Sequence, residues 1–253
     1  GERLPIVESY TYLGIFLHNS LNIDKMVVER VEKGRRCVAA LTPVLRCHSI
    51  PLPIRVNMVK ACVIPVLCYG SEIWGMEDKR AQRAQRVLDE AMRLLLRIGK
   101  RSPIVSTPAL AVELDIPPIY VMANTARVRA YLKYPLLKTI ISELVTHPLK
   151  SRKVSWVSGT IRWMKRYIPQ ALRQESIDGA LGIVREFMWK RYTKHGGRCM
   201  ERYNQASYES SRRFILNSLT IPSVAVGYHW LVRFRLGAIW TGHRFISTPI
   251  HFP

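Results

Sequence analysis

Between Asp78 and Gly99 the sequence DKRAQRAQRVLDEAMRLLLRIG sorts into two arcs when wound at about 100° per residue. Val87, Leu88, Ala91, Leu94, Leu95 and Ile98 share one arc. Lys79, Arg83, Arg86, Arg93, Arg97, Lys100 and Arg101 fall on an adjacent arc of similar width, where Glu90 is the only acid. A helix of this kind must bury its apolar arc against other elements, so it predicts a layered helical domain. Its other arc forgoes the alternating charges that support a solvated helix through spaced pairs. A partner carrying negative charge is the expected complement, and phosphate is the natural one.

Composition points the same way. Of 253 residues, 39 are Lys or Arg and 18 are Asp or Glu, a net charge of +21, while 48% are apolar. The apolar share is enough for a real core and argues against a disordered tail. The positive excess would repel itself unless a polyanion neutralised it, which places RNA or DNA ahead of an anionic membrane surface. The excess is unevenly placed: residues 1–78 carry nine basic and eight acidic residues, and residues 79–253 carry thirty and ten. No apolar run is long enough to span a bilayer, since Lys60 and Glu72 bound the longest candidate.

The remaining elements read as mainly α. SYTYLGIFL, residues 9–17, predicts a strand with a bulge or hairpin near Gly14. Val27, Val31, Gly34, Val38, Leu41 and Leu45 recur at three- and four-residue steps, one face of a long helix that Thr42-Pro43 kinks or ends. A second helix follows Pro51-Leu52-Pro53 and runs into VIPVLCYGSEIWG, residues 63–75, where Pro65 kinks or ends it and Gly70 and Gly75 bracket a turn. There Trp74 reads as a cap on the core and Glu72 as a solvated or capping acid. SPIVSTPALAVELDIPPIY carries four prolines around a short helix, helix returns over residues 121–145, and a polar linker, THPLKSRKVSWVSG, gives a soft domain boundary near residue 150.

Beyond that boundary aromatic and basic residues interleave, as in Trp156, Arg162, Trp163, Lys165, Arg166, Tyr167 and again Phe187, Trp189, Lys190, Arg191, Tyr192. Rings beside cations suit stacking on unpaired bases. Their three- to four-residue spacing equally suits small helices that bury the rings and expose the bases, and both readings stay open. With Arg152, Lys153, Arg233 and Arg235, the cations of this region join the basic arc of 78–101 as candidate RNA contacts. The five cysteines form no paired framework, which fits a reducing, intracellular compartment. His195 and Cys199 have the spacing of half a zinc site without a second half, so neither a metal nor another cofactor is expected. No nucleophile or phosphate-loop motif has its required setting.

The order of motifs carries a resemblance. Tyr12-Leu13-Gly14, a long helix, then Pro65 and Tyr69-Gly70-Ser71-Glu72-Ile73-Trp74-Gly75, followed by AQRVLDEAMRLLLRIGKRSP, ALAVELDIPPI and LVRFRLGAIWTGHRF, resembles the C-terminal part of non-LTR (LINE-type) retrotransposon reverse transcriptases. The resemblance spans essentially the whole chain and is most specific from Tyr69 to Trp74. It implies that residues 1–120 are the last palm strand and a thumb-like helical bundle, and residues 121–253 a second basic helical domain. Polymerisation in that family needs a metal-binding Asp pair in the palm. The five aspartates here, at positions 24, 78, 89, 115 and 178, are never adjacent, and all follow the palm-like strand. Nothing here brings carboxylates together around two ions. The sequence also ends at Pro253, short of the family's zinc knuckle.

Two functions are compatible with these features. The first is a non-catalytic, retroelement-derived RNA-binding protein, a structural component of a ribonucleoprotein such as a mitochondrial ribosome. Its partners would be structured RNA and neighbouring proteins, with no membrane and no small-molecule substrate. The second is the thumb and C-terminal part of an active reverse transcriptase, gripping template and primer. Mitochondrion, nucleus and cytoplasm are all open as locations.

Overall fold

The computed structural model describes residues 7–20, 22–99, 105–147, 155–205 and 222–239. The protein is mainly helical, with a short two-stranded antiparallel sheet at its N-terminal end. The contacts gather the described parts of Gly1–Ala40, Ala61–Leu88 and Pro117–Tyr192 into one compact unit, and those of Leu41–Lys60, Asp89–Ile116 and Thr193–Pro253 into a second. Among the described residues no helix is long and apolar enough to cross a membrane.

The sheet is a hairpin of β1 (Ser9–Tyr12) and β2 (Ile15–His18), with Tyr10 opposite Leu17 and Tyr12 opposite Ile15. Its turn places Leu13 and Gly14 at φ 46° and 74°. Two successive left-handed residues make the tight turn whose twist matches paired strands, so of the bulge and the hairpin expected near Gly14 the hairpin forms. The helix α1 (Ile23–Leu45) runs through Pro43, which lies too near its end to break it. Next come α2 (Leu52–Met58), a π turn at Val59–Val63 and α3 (Ile64–Cys68). Pro65 explains the π turn. It has no N–H for the carbonyl of Ala61, and its ring pushes that carbonyl away, so the helix widens by one residue instead of ending.

Gly70, at φ 74°, then starts the single turn α4 (Ser71–Trp74), and a Cβ there would also meet the Met26 side chain at 2.9 Å. Trp74 is fully buried. Gly75 lets α4 approach α7 (Ile119–Lys133) closely, because a Cβ would lie 2.5 Å from the Ala123 carbonyl oxygen. The helix α5 (Asp78–Leu95) buries Ala81, Ala84, Val87, Leu88, Ala91, Met92 and Leu95, a stripe close to the predicted one. It stops short of Gly99 because the chain turns at Arg97, whose φ is 50°.

The short helix α6 spans Thr107–Glu113. The helix predicted over 121–145 is broken after Lys133 by a 3-10 turn at Tyr134–Leu136 containing Pro135, and resumes as α8 (Ile140–Thr146). The polar linker is shorter than its composition implies. Ser155 caps α9 (Trp156–Tyr167) through a reciprocal box with Ser158, so Trp156 to Gly159 are helical. The boundary near residue 150 lies outside the described residues. The chain continues through α10 (Ile177–Lys194), α11 (Gly197–Gln205) and α12 (Pro222–Arg235), after which Gly237 at φ 66° ends the helix.

In the first unit Val121 and Val128 of α7, Met164 of α9 and Leu181, Val184 and Met188 of α10 form a continuous core. Arg127 ties this core to α4. Its guanidinium donates to the carbonyls of Ile73 (3.2 Å), Gly75 (2.7 Å) and Trp156 (3.2 Å) and to the Thr160 hydroxyl (3.0 Å). Burial, reinforced by Arg80, pushes its pKa down to about 10, so it stays charged at neutral pH. Arg127→Met should lower the unfolding free energy by on the order of 2 kcal/mol, since it removes the side-chain donor of the Ile73 and Gly75 carbonyls, while the Trp156 carbonyl keeps the Thr160 hydroxyl. Urea denaturation beside the exposed Arg173→Met, expected to change stability by less than about 0.5 kcal/mol, checks this.

Candidate nucleic-acid interface

In the first unit the basic arc of α5 reaches the surface. Lys79, Arg83 and Arg86 are exposed, and none of them forms an ion pair among the described residues. The side of α5 beside this arc packs on α10. Asp78 pairs with Arg191, and Gln85 donates its side-chain amide N–H to the Tyr192 hydroxyl across 3.4 Å while its side-chain carbonyl accepts the Ile119 N–H at 2.7 Å. These contacts fix the rotation of α5 and hold its cations outward.

Arg191 has a second role. Its guanidinium lies 5.5 Å from the centre of the Tyr167 ring, and Arg166 lies 5.4 Å from the same ring. The end of α9 therefore adjoins the start of α5 through one arginine. Arg162, Lys165 and Arg166 on α9 and Lys190 on α10 are exposed, with Lys190 2.6 Å from Glu186 one turn earlier. The unit thus assembles a basic surface from three helices.

The aromatic residues are mostly committed to packing. Trp163, Tyr167 and Phe187 touch one another, with ring centres 5.4–6.3 Å apart, and lie against the core. Trp156 stacks on Tyr134 and donates its indole N–H to the Glu72 carbonyl at 2.8 Å. The rings are thus packed against one another and the core, with Arg162, Lys165, Arg166 and Lys190 exposed beside them.

The second unit treats its arginines differently. Arg93 turns back to donate to the carbonyls of Gly99 and Val105. Arg97 donates twice to the Arg46 carbonyl, and Arg233 donates to that of Leu96 at 2.9 Å. Arg55, which no sequence feature marked, is buried and donates to the carbonyls of Leu45, Ile50 and Leu95. These carbonyls include the open C-terminal ends of α1 and α5, where the helix leaves acceptors unfilled and a cation meets the negative end of the dipole. Arg235 is buried against the fully buried Glu113 at 3.3 Å, and Tyr203 donates to the same carboxylate. Burial raises the Glu113 pKa, while Tyr203 and Arg235 oppose the rise. Arg93, Arg233 and Arg235 therefore tie parts of the second unit together, and Arg97 does the same while remaining exposed. Lys100, Arg101, Arg152 and Lys153 lie outside the described residues.

Two further cations outside the candidate set, Arg129 and Lys133, are exposed on α7. Their signal was present as a four- and three-residue spacing with Met122 and Ala126. Among the described residues no cluster of His, Cys, Asp or Glu could hold a metal ion. Comparison with protein-family models, curated proteins and solved structures finds no match.

The arginines of the second unit also set the state of a buried histidine. His229 is buried edge-on to His48, with ring centres 4.5 Å apart, and neither of its ring nitrogens finds a hydrogen-bond partner among the described residues. Burial, then His48, Arg55, Arg233 and Arg97, lower its pKa to about 4. A folded-state pKa below the unfolded value near 6.5 means that the unfolded chain binds the extra proton. The stability tied to this ring is present above pH 6.5 and is lost as pH falls toward 4. Unfolding in urea should therefore need about 2 kcal/mol less at pH 5 than at pH 7 on this account, and His229→Phe should flatten that difference.

Proposed function

We propose that this chain is a non-catalytic RNA-binding protein that holds folded RNA on the basic surface of its first unit. The observation that carries this reading is the exposed face of α5, where Lys79, Arg83 and Arg86 stand without ion pairs beside the Arg191–Tyr167 junction. Three cations held outward without counter-charge are costly for an isolated protein and useful to one that meets phosphate. A retroelement-derived component of a ribonucleoprotein, such as a mitochondrial ribosome, fits the motif order, the basic surface and the lack of an aspartate pair together.

One feature favours the second reading, part of a longer reverse transcriptase. The hairpin exposes Tyr10, Tyr12 and Leu17, all on one face by their pairing register. A two-stranded sheet with an uncovered apolar face is marginal alone and suits a site where more protein packs. An in-frame upstream segment carrying an adjacent Asp pair would support that reading.

The binding proposal has a direct test. Replacing Lys79, Arg83 and Arg86 together by Glu should weaken binding to a structured RNA and lower the slope of log affinity against log salt by roughly two to three units. An unchanged slope would show that the face only meets water. A second expectation concerns chemistry. Given primer, template, nucleotides and magnesium or manganese, the purified chain should give no extension above background, because its sequence has no adjacent aspartates and no cluster among the described residues could hold a metal ion.

A further inference from the structure

The stretch Tyr69 to Glu72 does more than turn the chain. It forms one wall of an open cavity of about 390 Å³ in the first unit, with Ile15, Pro65, Met122 and Ala126 supplying apolar surface. Tyr69 is 45% exposed and Met122 37% exposed, so both offer flat or soft surface to a guest. The buried Arg30 places its guanidinium 4.5 Å from the Tyr69 ring centre, and two of its nitrogens have no hydrogen-bond partner among the described residues. The Tyr69 hydroxyl donates to the Leu13 carbonyl, which fixes the ring in the wall. Glu72, whose backbone is held by Trp156, brings the one carboxylate.

Along α7, Met122, Ala126, Arg129 and Lys133 follow at steps of four, three and four and so share one stripe. The first two line the cavity and the last two are exposed cations, about 5 and 10 Å beyond Ala126 along the axis at 1.5 Å per residue. We propose that this cavity takes one unpaired base of the bound RNA, stacked against Tyr69, with the adjoining phosphates on Arg129 and Lys133. The inference rests on the RNA-binding reading and adds a single-stranded contact to it. A cationic guest, such as a lysine side chain, would suit Glu72 but would meet Arg30 behind the ring and Arg129 and Lys133 beside it. A neutral flat base followed by an anionic backbone matches all four groups. Glu72 accepts from an exocyclic amino group, which adenine, cytosine and guanine carry and uracil lacks.

Fluorescence anisotropy on the full chain tests this, with labelled single-stranded A, C and U homopolymers and an RNA duplex of equal length. The A and C strands should bind more tightly than U. Ala126→Trp, which fills the cavity without removing a group that supports the fold, should lower the ratio of single-strand to duplex affinity about tenfold, the range of one lost stack. Glu72→Gln should narrow the preference for A and C over U. Single-strand binding whose ratio and base preference move with neither substitution would overturn the cavity while leaving the RNA-binding reading intact. Failure of the unaltered chain to bind any of these RNAs would overturn both.

Discussion

Arginine bonded to backbone carbonyl is the interaction on which both compact units depend. Arg127 joins α4, α7 and α9 through three carbonyls and a hydroxyl. Arg55 reaches the C-terminal carbonyls of α1 and α5 and that of Ile50. Short helices joined by tight turns leave many carbonyls beyond the reach of their own N–H groups, and a buried carbonyl without a donor is expensive. Guanidinium has five N–H donors in one plane and resists deprotonation, so one side chain can satisfy several helix ends at once. The cost is a buried charge, offset here by carbonyl dipoles in place of carboxylates.

This use of arginine changes the meaning of the net charge. A basic composition reads at first as surface meant for a polyanion, yet part of it is spent inside. The two halves of α5 show the distinction within one helix. Lys79, Arg83 and Arg86 stand where the helix is continuous and its carbonyls are filled, so no backbone acceptor draws them in. Arg93 and Arg97 stand where the helix ends and acceptors open, and both fold onto carbonyls. Position along the helix decides between a tie and a free cation.

The same reasoning separates what was legible in the sequence from what was not. The apolar stripe of α5 and the hairpin at Gly14 follow from local rules of spacing and turn chemistry, and the structure has both. Pro65 was legible as a disturbance, but whether it ends a helix or widens it depends on packing around Val59–Val63. Trp156 to Gly159 read as linker because Ser and Gly are frequent there. Ser155 and Ser158 cap each other, however, and Trp156 finds the Glu72 carbonyl far away in sequence. The roles of Arg233 and Arg235 were hidden for the same reason, since their partners Leu96 and Glu113 are distant along the chain.

Tyr167 shows how a packed ring can still shape a charged surface. Its ring lies against Trp163 and Phe187, yet it carries Arg166 and Arg191 at nearly equal distances. A cation held over a ring loses little hydration and keeps its remaining N–H groups available. Arg191 spends some of these on Asp78, which neutralises the one acid at the start of the basic face of α5. The neighbouring Lys79 is thereby relieved of a competing carboxylate. Aromatic packing inside the unit and open positive charge outside it are thus parts of one arrangement, in which the ring positions an arginine and the arginine removes the nearest negative charge from the face offered to RNA.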